Sequence, residues 1–423
     1  MLFPKTAHMK TALKLLAFVV TVANAALAQV VPEATGPGLP VSGKVHYDLH
    51  CSEIGYLGGS VNDSQSAVFS GNVDYANLSD LFPFSLQEAG GYSWAVTGTP
   101  YGVGPFDSLS LSQGFVRRKW NLQFSDNASY RQEAPTTSFS GVPGTGEPIG
   151  GSTTPPSSSQ SILTLNTTTV DNSANGELER TLNFATSLNL GGDSELLRYP
   201  DGNGIDTDNE SANAGLTQRL NARNSLSCRY LFSEFSYPSG DHGLPTTSLM
   251  TNSALFGYER HWTRQITTNG AVGPEWVEGA NSAIVPSSTR VSGNASFVDQ
   301  FRFGSVTLNY SHTTSGGGGF LVGGEVDSAS GAFSREFKRK LTTELSGGYM
   351  HTSGLGAQGK IDSEYGAAMV TWRLSRYFTA FASYTANDQS SSSALPSNAL
   401  NQMLQVISVG IGFSPRERHL EGQ

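Results

Sequence analysis

The sequence predicts an all-β protein, a single antiparallel transmembrane β-barrel of 16 to 18 strands. Three observations predict it. Apolar and polar residues alternate along most of the chain, short and long links alternate between these segments, and charged residues make up only 14% of the 423 residues. Soluble domains contain about 25% charged residues. The 22 phenylalanines and 15 tyrosines argue against a disordered chain.

The N-terminal segment is typical of a secretory signal peptide. Three lysines precede an apolar run from Leu15 to Ala28, which ends in the small-x-small pattern Ala26-Leu27-Ala28. The run is shorter than the roughly 20 residues of a membrane-spanning helix. We therefore expect a cleaved leader at 1–28, a short periplasmic segment at 29–42, the barrel at 43–414 and a polar tail at 415–423.

Charge and cysteine content exclude several classes of protein. The net charge is −9, and removal of the leader with its three lysines leaves −12. Nucleic-acid binding favours a basic surface, so we expect no nucleic-acid partner. Only two cysteines are present, which argues against a disulfide scaffold or a zinc site. Cys51 and Cys228 each lie on the apolar face of a predicted strand, so we do not expect them to pair with each other. No later segment has 18 consecutive apolar residues, and no cofactor is indicated.

The clearest alternation lies between Lys119 and Arg131. Trp120, Leu122 and Phe124 point to one side of the predicted strand, and the polar residues between them point to the other. Counting such segments gives 18 strands, or 16 if the weaker first three are regrouped. The predicted strands are 43–54, 65–77, 83–95, 106–117, 118–131, 160–171, 177–190, 211–222, 225–237, 248–260, 262–275, 288–298, 303–313, 323–335, 339–352, 359–374, 377–387 and 401–414.

The links between strands predict two unlike rims. Short links, many of them combining basic and aromatic residues, predict tight turns near Arg118, Asn224, His261, Gln300, Phe337 and Ser375. Stretches rich in Gly, Ser and Pro at 132–160, 191–210 and 313–324 predict long loops. Outer-membrane barrels have short periplasmic turns and long outer loops. A barrel of 16 to 18 strands is wide enough for an aqueous channel.

Aromatic residues near the strand ends predict two membrane-interface girdles. Trp120, Trp262 and Trp372 lie near the short turns, whereas Trp94 and Trp276 lie near the opposite ends. The last strand alternates Ile407, Val409, Ile411 and Phe413 with small polar residues. It resembles the aromatic-terminated closing strand that the barrel-insertion machinery recognises, although the polar tail follows it here.

Four segments resemble a functionally uncharacterised family of porin-like outer-membrane proteins of Gram-negative bacteria. They are Ser140–Gly150 (SGVPGTGEPIG), Gly257–Arg264 (GYERHWTR), Phe381–Gln389 (FASYTANDQ) and Val409–Arg416 (VGIGFSPR). The resemblance covers most of the chain after the leader. It implies the barrel, but it implies neither a substrate nor catalytic residues.

Polar residues on one face of many strands predict a water-filled lumen and the passive diffusion of small hydrophilic solutes. The alternation gives as pore-lining candidates Lys119, Asn121, Gln123, Arg131, Arg219, Arg229, Thr307, Asn309 and Glu344. In the 18-strand count the loop 132–160 is the third outer loop, and Phe139, Val142 and Ile149 are expected to anchor it inside the channel. The alternative function is a conduit for exported polysaccharide. Outer-membrane lipid and lipopolysaccharide are expected surroundings.

One acidic segment could bind a metal ion, but it is better explained as an ordinary loop. Asp201, Asp206, Asp208 and Glu210 offer oxygen ligands, but their spacing departs from the helix-loop-helix calcium pattern. A solvated acidic loop is preferred, with a divalent-ion or lipopolysaccharide-bridging site as the alternative.

The remaining motifs do not indicate an enzyme. His46, Asp48 and His50 share a polar strand face, which we interpret as lumen lining. Ser315–Gly319 lacks the lysine of a phosphate loop and is expected to be flexible. Asp241-His242 has no third partner at a readable spacing, so a barrel hydrolase is the least favoured function.

Overall fold

The computed structural model describes residues 43–58, 63–77, 79–100, 102–132, 167–202, 204–238, 246–282, 284–317, 321–338, 340–356, 359–392, 402–415 and 418–420. Nineteen strands follow one another along these residues. They are β1 (Gly43–Gly58), β2 (Ser64–Asn77), β3 (Phe84–Thr97), β4 (Gly104–Arg117), β5 (Trp120–Gln132), β6 (Thr168–Thr181), β7 (Thr186–Arg198), β8 (Thr207–Arg219), β9 (Asn224–Tyr237), β10 (Thr247–His261), β11 (Ile266–Gly279), β12 (Ser288–Phe301), β13 (Gly304–Ser315), β14 (Gly324–Phe337), β15 (Leu341–Gly354), β16 (Lys360–Arg373), β17 (Phe378–Ser391), β18 (Met403–Phe413) and β19 (Arg418–Leu420).

The strands close into one antiparallel barrel. Each strand from β1 to β18 pairs with the next, and β1 also pairs with β18 from Leu49↔Phe413 to Gly58↔Leu404. This confirms the predicted fold and the count of 18 strands. The short β19 pairs with the first residues of β1, so the tail following β18 contains a strand segment. The described residues contain no helix that is long and apolar enough to cross a membrane.

The dimensions leave room for a channel. Strands lie about 4.8 Å apart and are tilted by about 40° in barrels of this kind, so 18 of them enclose a cylinder roughly 35 Å across between backbones. Side chains and inward-folded loops fill part of this width. The lumen is therefore shaped by its lining rather than by the strand count alone.

The connections at one rim, called here the turn rim, are short, and all but 78–83 have two to four residues. They are 78–83, 118–119, 182–185, 220–223, 262–265, 302–303, 338–340 and 374–377, and the six predicted turns fall within or next to them. The opposite rim, called here the loop rim, carries the longer connections. The alternation of short and long links therefore placed the two rims correctly.

The prediction of the strands at 160–171 and 177–190 was wrong. The observed β6 and β7 lie further along the chain and are joined by the turn 182–185, where Asn183 Oδ1 accepts the backbone N–H groups of Ala185 and Thr186. The sequence 171–176 (DNSANG) resembles a turn but forms the middle of β6. It fits a strand because its alternate residues face a polar lumen and small residues face outward.

The pairing register divides the strand residues between two faces. Trp120, Leu122 and Phe124 lie on the same outward face, each about two-fifths exposed, and Asn121 and Gln123 lie on the other. At the closing seam Ile407, Val409 and Ile411 face outward, whereas Ser408 and Gly410 face inward. The outward faces of β5 and β18 are therefore mainly apolar. Cys51 and Cys228 are unbridged and also face outward.

Candidate functional site: the lumen and its inward-folded hairpin

The inner wall is lined mainly by serine, threonine, asparagine and glutamine in the half nearest the turn rim. The register places eight of the nine pore-lining candidates on this inward face. They are Asn121, Gln123, Arg131, Arg219, Arg229, Thr307, Asn309 and Glu344. Lys119 instead lies in the two-residue turn between β4 and β5, beside the lumen entrance.

Five carboxylates that the sequence analysis missed form one sector of the wall, called here the acidic wall. They face inward from two neighbouring strands, β6 and β7, and are Asp171, Glu177, Glu179, Asp193 and Glu195. No lysine or arginine faces inward from either strand. Asp193 and Glu195 were missed because the sequence analysis assigned 191–210 to a loop. Asp171, Glu177 and Glu179 lie within the two predicted strands but were not singled out as pore-lining residues.

A recess of about 230 Å³ lies in the wall between β8 and β12. Small residues make room for it, among them Ser225, Ser227 and Gly257. Arg229 and Glu259 bring one charge of each sign to its lining. Glu259 Oε1 lies 2.9 Å from His261 Nε2, towards the turn rim. The recess therefore adds space to the lumen on this side of the barrel.

The tip of the β13–β14 hairpin folds into the barrel. The pairing of β12 with β13 stops at Gly293↔His312, although β12 begins at Ser288 and β13 continues to Ser315. The last residues of β13 are therefore free to leave the wall. Beyond them Gly316 accepts a hydrogen bond from the Tyr237 hydroxyl at 3.0 Å, although four strand positions separate β13 from β9.

Polar contacts that skip a strand hold the folded hairpin. Thr314 of β13 donates from Oγ1 to Glu275 Oε2 of β11 at 2.6 Å, across β12. Arg290 of β12 pairs with Glu325 of β14, across β13. Because Glu275 faces inward and is only 4% exposed, the hairpin must lean over the inner surface of β11 and β12.

His312 completes this polar cluster. Its Nε2 lies 3.2 Å from Glu325 Oε1, and its Nδ1 lies 2.7 Å from Asp327 Oδ1. The imidazole therefore bridges two carboxylates of β14. Arg290 supplies a positive charge beside the acids that the folded hairpin brings together.

Apolar residues from four loop-rim connections pack against the inner wall beside this hairpin. Val322 follows β13, and it is buried with Leu249 and Val277 of the wall. This group, called here the loop cluster, contains Ile205, Phe235, Tyr237, Leu249, Val277, Val285, Val322 and Leu355. Burial of so many apolar side chains is strongly favourable, so the tip is held inside the mouth rather than in solvent.

Gly323 allows the tight path of this tip. Its φ is +76°, which L-residues with a side chain rarely adopt. A Cβ atom there would lie 2.7 Å from Leu249 Cδ2 and 2.9 Å from Leu355 Cδ1. The glycine-rich stretch from Ser315 to Gly319, expected to be a flexible loop, is thus followed by a tightly packed turn.

Apolar residues also line the inner face on the other side of the barrel, in the half nearest the loop rim. Ile54, Val68 and Leu404 are at most 2% exposed and belong to a second buried cluster. The inner wall therefore changes character along its length. Near the turn rim it is mainly polar, and near the loop rim it carries the two apolar clusters among buried polar residues such as Ser66, Ser363 and Asn387.

The acidic positions 201–210 do not converge on one point. Asp201 accepts the Thr168 backbone N–H at 2.9 Å, and Asp206 accepts that of Tyr199 at 2.8 Å. Asp208 pairs with Arg198, while Glu210 lies on the outward face of β8. Among the residues that the structure describes, no group of three or more histidine, cysteine, aspartate or glutamate side chains is placed to hold a metal ion.

The strand β1 carries the His46, Asp48 and His50 group on its inward face. His46 Nε2 lies 3.1 Å from Asp48 Oδ2 and 3.2 Å from the Ser414 hydroxyl. The contact with Ser414 ties the start of β1 to the residue that follows β18 at the turn rim. Asp241-His242 and the loop residues Phe139, Val142 and Ile149 lie outside the described residues.

The aromatic residues of the predicted girdles lie near the two rims. Trp120, Trp262 and Trp372 are at the turn rim, and Trp94 and Trp276 are three residues from the loop-rim ends of their strands. All five rings are between 41% and 54% exposed. Phe413 packs against Phe378 with ring centroids 5.2 Å apart.

Comparison with known proteins gives structural matches only. No family model matches the sequence, and no curated protein matches it. The barrel is similar to OccK2 (OpdF) of Pseudomonas aeruginosa, at 11% identity and a TM-score of 0.47, covering 90% of this chain and 98% of that chain. It is similar to OccAB4 of Acinetobacter baumannii at 10% identity and a TM-score of 0.47, covering 90% and 100%. The outer membrane protein opdK of Pseudomonas aeruginosa matches at 9% identity and a TM-score of 0.43, covering 88% and 99%.

Proposed function

We propose that this protein is an outer-membrane channel for the passive diffusion of small hydrophilic solutes. The observation that carries the proposal is the division of the closed 18-stranded barrel into an apolar exterior and a polar inner wall. An apolar exterior suits a lipid bilayer, and a polar wall suits water. Passage through such a channel requires no catalytic group, and the proposed activity is not enzymatic.

The turn rim faces the periplasm and the loop rim faces outward in this proposal. Short turns at one end and long connections at the other are the arrangement of outer-membrane barrels. The leader at 1–28 would direct the chain across the inner membrane, and the insertion machinery would then assemble the barrel.

Size selection takes place at the loop rim. The folded hairpin tip and the loop cluster occupy part of the mouth above β8–β11, so a solute must pass beside them. Pore width and lining set the selectivity of such channels. The inward fold expected of the loop 132–160 stays a prediction, because residues 133–166 lie outside the described residues.

Vesicle swelling tests the proposed diffusion directly. Refolded protein in dextran-loaded liposomes should admit small neutral sugars and cause swelling, with rates that fall as the sugar becomes larger, because the hairpin tip limits the width. Heat-denatured protein is the control. Vesicles that contain folded barrel but do not swell in any sugar would contradict the proposal.

We expect the channel to prefer cations because of the acidic wall. Fixed charges of one sign along a lumen raise the local concentration of counter-ions. Replacing Glu177, Glu179 and Glu195 with Gln and Asp193 with Asn should move the reversal potential in a KCl gradient towards zero.

A variant of equal charge change controls for that experiment. Glu234, Glu278, Glu364 and Asp388 face outward near the loop rim, and their replacement by the matching amides alters the protein's net charge by the same amount. This variant should largely retain the cation preference. Equal effects of the two variants would show that the lumen charge does not set the selectivity.

A further inference from the structure

Arginines stacked on aromatic rings surround the outside of the turn rim. Five guanidinium carbons lie 3.9 to 4.9 Å from a ring centroid. The pairs are Arg180 with Trp120, Arg260 with Trp262, Arg302 with Phe303, Arg335 with Phe337 and Arg376 with Tyr377. Stacking holds each cation at the level where the apolar exterior ends.

Further bases strengthen this belt. Arg117, Arg223, Arg264, Lys338 and Lys340 are exposed at the same rim. Among the described residues, Asp80 and Asp299 are the carboxylates that face outward from the turns and the last three strand positions at this rim. The turn rim therefore has a strongly positive exterior, which we call the basic belt.

The loop rim has the opposite charge. Its outward strand faces carry many carboxylates, including Glu53, Asp107, Glu234, Glu278 and Asp388. Arg198 and Lys360 are the bases that face outward there within the described part of the chain, and Arg198 is paired with Asp208. The two ends of the exterior thus differ in charge as well as in loop length.

We propose that the basic belt binds the phosphate headgroups of anionic phospholipids in the periplasmic leaflet. The partner is a membrane surface rich in phosphatidylglycerol-type lipid. Several arginines at one depth match a ring of headgroup phosphates, and guanidinium groups bind phosphate oxygens through two parallel hydrogen bonds. Each base near an anionic surface strengthens attraction by about 1 kcal/mol, which is roughly fivefold in affinity. The proposal rests on the membrane location given under the proposed function.

The five tryptophans allow each rim to be measured separately. In the variant Trp94→Phe/Trp276→Phe, only the turn-rim tryptophans Trp120, Trp262 and Trp372 remain. Brominated lipids quench tryptophan on contact, so vesicles with brominated phosphatidylglycerol or brominated phosphatidylcholine report which lipid lies beside the rim. We expect the anionic lipid to be favoured severalfold, and less so in high salt because the contact is electrostatic.

Two double variants distinguish lipid binding by the basic belt from a general effect of the protein's net charge. Arg180→Gln/Arg260→Gln removes two outward bases and should reduce the lipid preference towards one. Arg219→Gln/Arg373→Gln removes two bases that face inward at the same rim and should leave the preference unchanged. In the opposite variant Trp120, Trp262 and Trp372 are replaced with Phe, so only Trp94 and Trp276 at the loop rim remain. These two tryptophans should show no preference for the anionic lipid.

Equal quenching by both lipids at the turn rim would overturn this inference and leave the channel proposal standing. Equal loss of preference in the two double variants would also overturn it. Absence of quenching by either lipid from folded protein would contradict the membrane location itself, and with it both proposals.

Discussion

Val272→Arg is expected to lower the free energy of unfolding of the barrel in lipid by about 2–4 kcal/mol. Val272 is the seventh of 14 residues in β11, faces outward and is 57% exposed. It therefore meets lipid near the middle of the bilayer, where a guanidinium is most costly. Leu122 also faces outward, but it lies only two residues from the start of β5, where the cost falls towards zero. Equilibrium unfolding in denaturant, followed by tryptophan fluorescence, measures the effect.

The neighbouring position supplies the matched control for this substitution. Ala271 lies on the inward face and lines the recess, so Ala271→Arg places the same group in water. We expect a change below about 1 kcal/mol, typical of substitutions that bury no charge. If Ala271→Arg were the more damaging of the two, the assignment of faces on β11 would be inverted, because a one-residue shift moves every side chain to the other face.

Val322→Asp should raise the single-channel conductance by about twofold or more, because the hairpin tip would leave the mouth of the lumen. Val322 is 1% exposed within the loop cluster, and a carboxylate cannot be buried there without a partner except at high cost. The barrel wall does not depend on this contact. We therefore expect folding to be retained, as shown by the shift in gel mobility between unheated and heated samples.

Val116→Asp is the control for added negative charge. Val116 faces the lumen near the turn rim and is 37% exposed, away from the tip. This variant should change the conductance only slightly. Unchanged conductance in a folded Val322→Asp barrel would refute the constriction, and a similar rise in both variants would assign the effect to charge instead.

The fold was predictable because a barrel repeats one local rule many times. Alternating residues such as Trp120 and Asn121 reveal the two faces, and each turn marks the same rim. The rule fails where turn-like residues occupy a strand. In β6 the segment 171–176 contains Asp, Asn, Ser and Gly, all common in turns, yet the polar lumen and small outward residues accept them. The same misplacement put Asp193 and Glu195 of the acidic wall in a predicted loop.

The folded hairpin could not be predicted from local pattern. Its contacts join residues distant in sequence, as between Tyr237 and Gly316, and they depend on where β12 and β13 stop pairing. Thr314 lies in the stretch 313–324, which the sequence predicted to be a long loop. It meets Glu275 on the inner surface of β11 because the tip of the β13–β14 hairpin folds into the barrel.

Planar-bilayer recording of refolded residues 29–423 tests the central claim most directly. We predict discrete, stable conductance steps in KCl, since the barrel is closed and its inner wall is mainly polar towards the turn rim. In a salt gradient the reversal potential should show cation preference. Bilayers that contain folded protein, verified by gel mobility, yet remain electrically silent would contradict a water-filled channel.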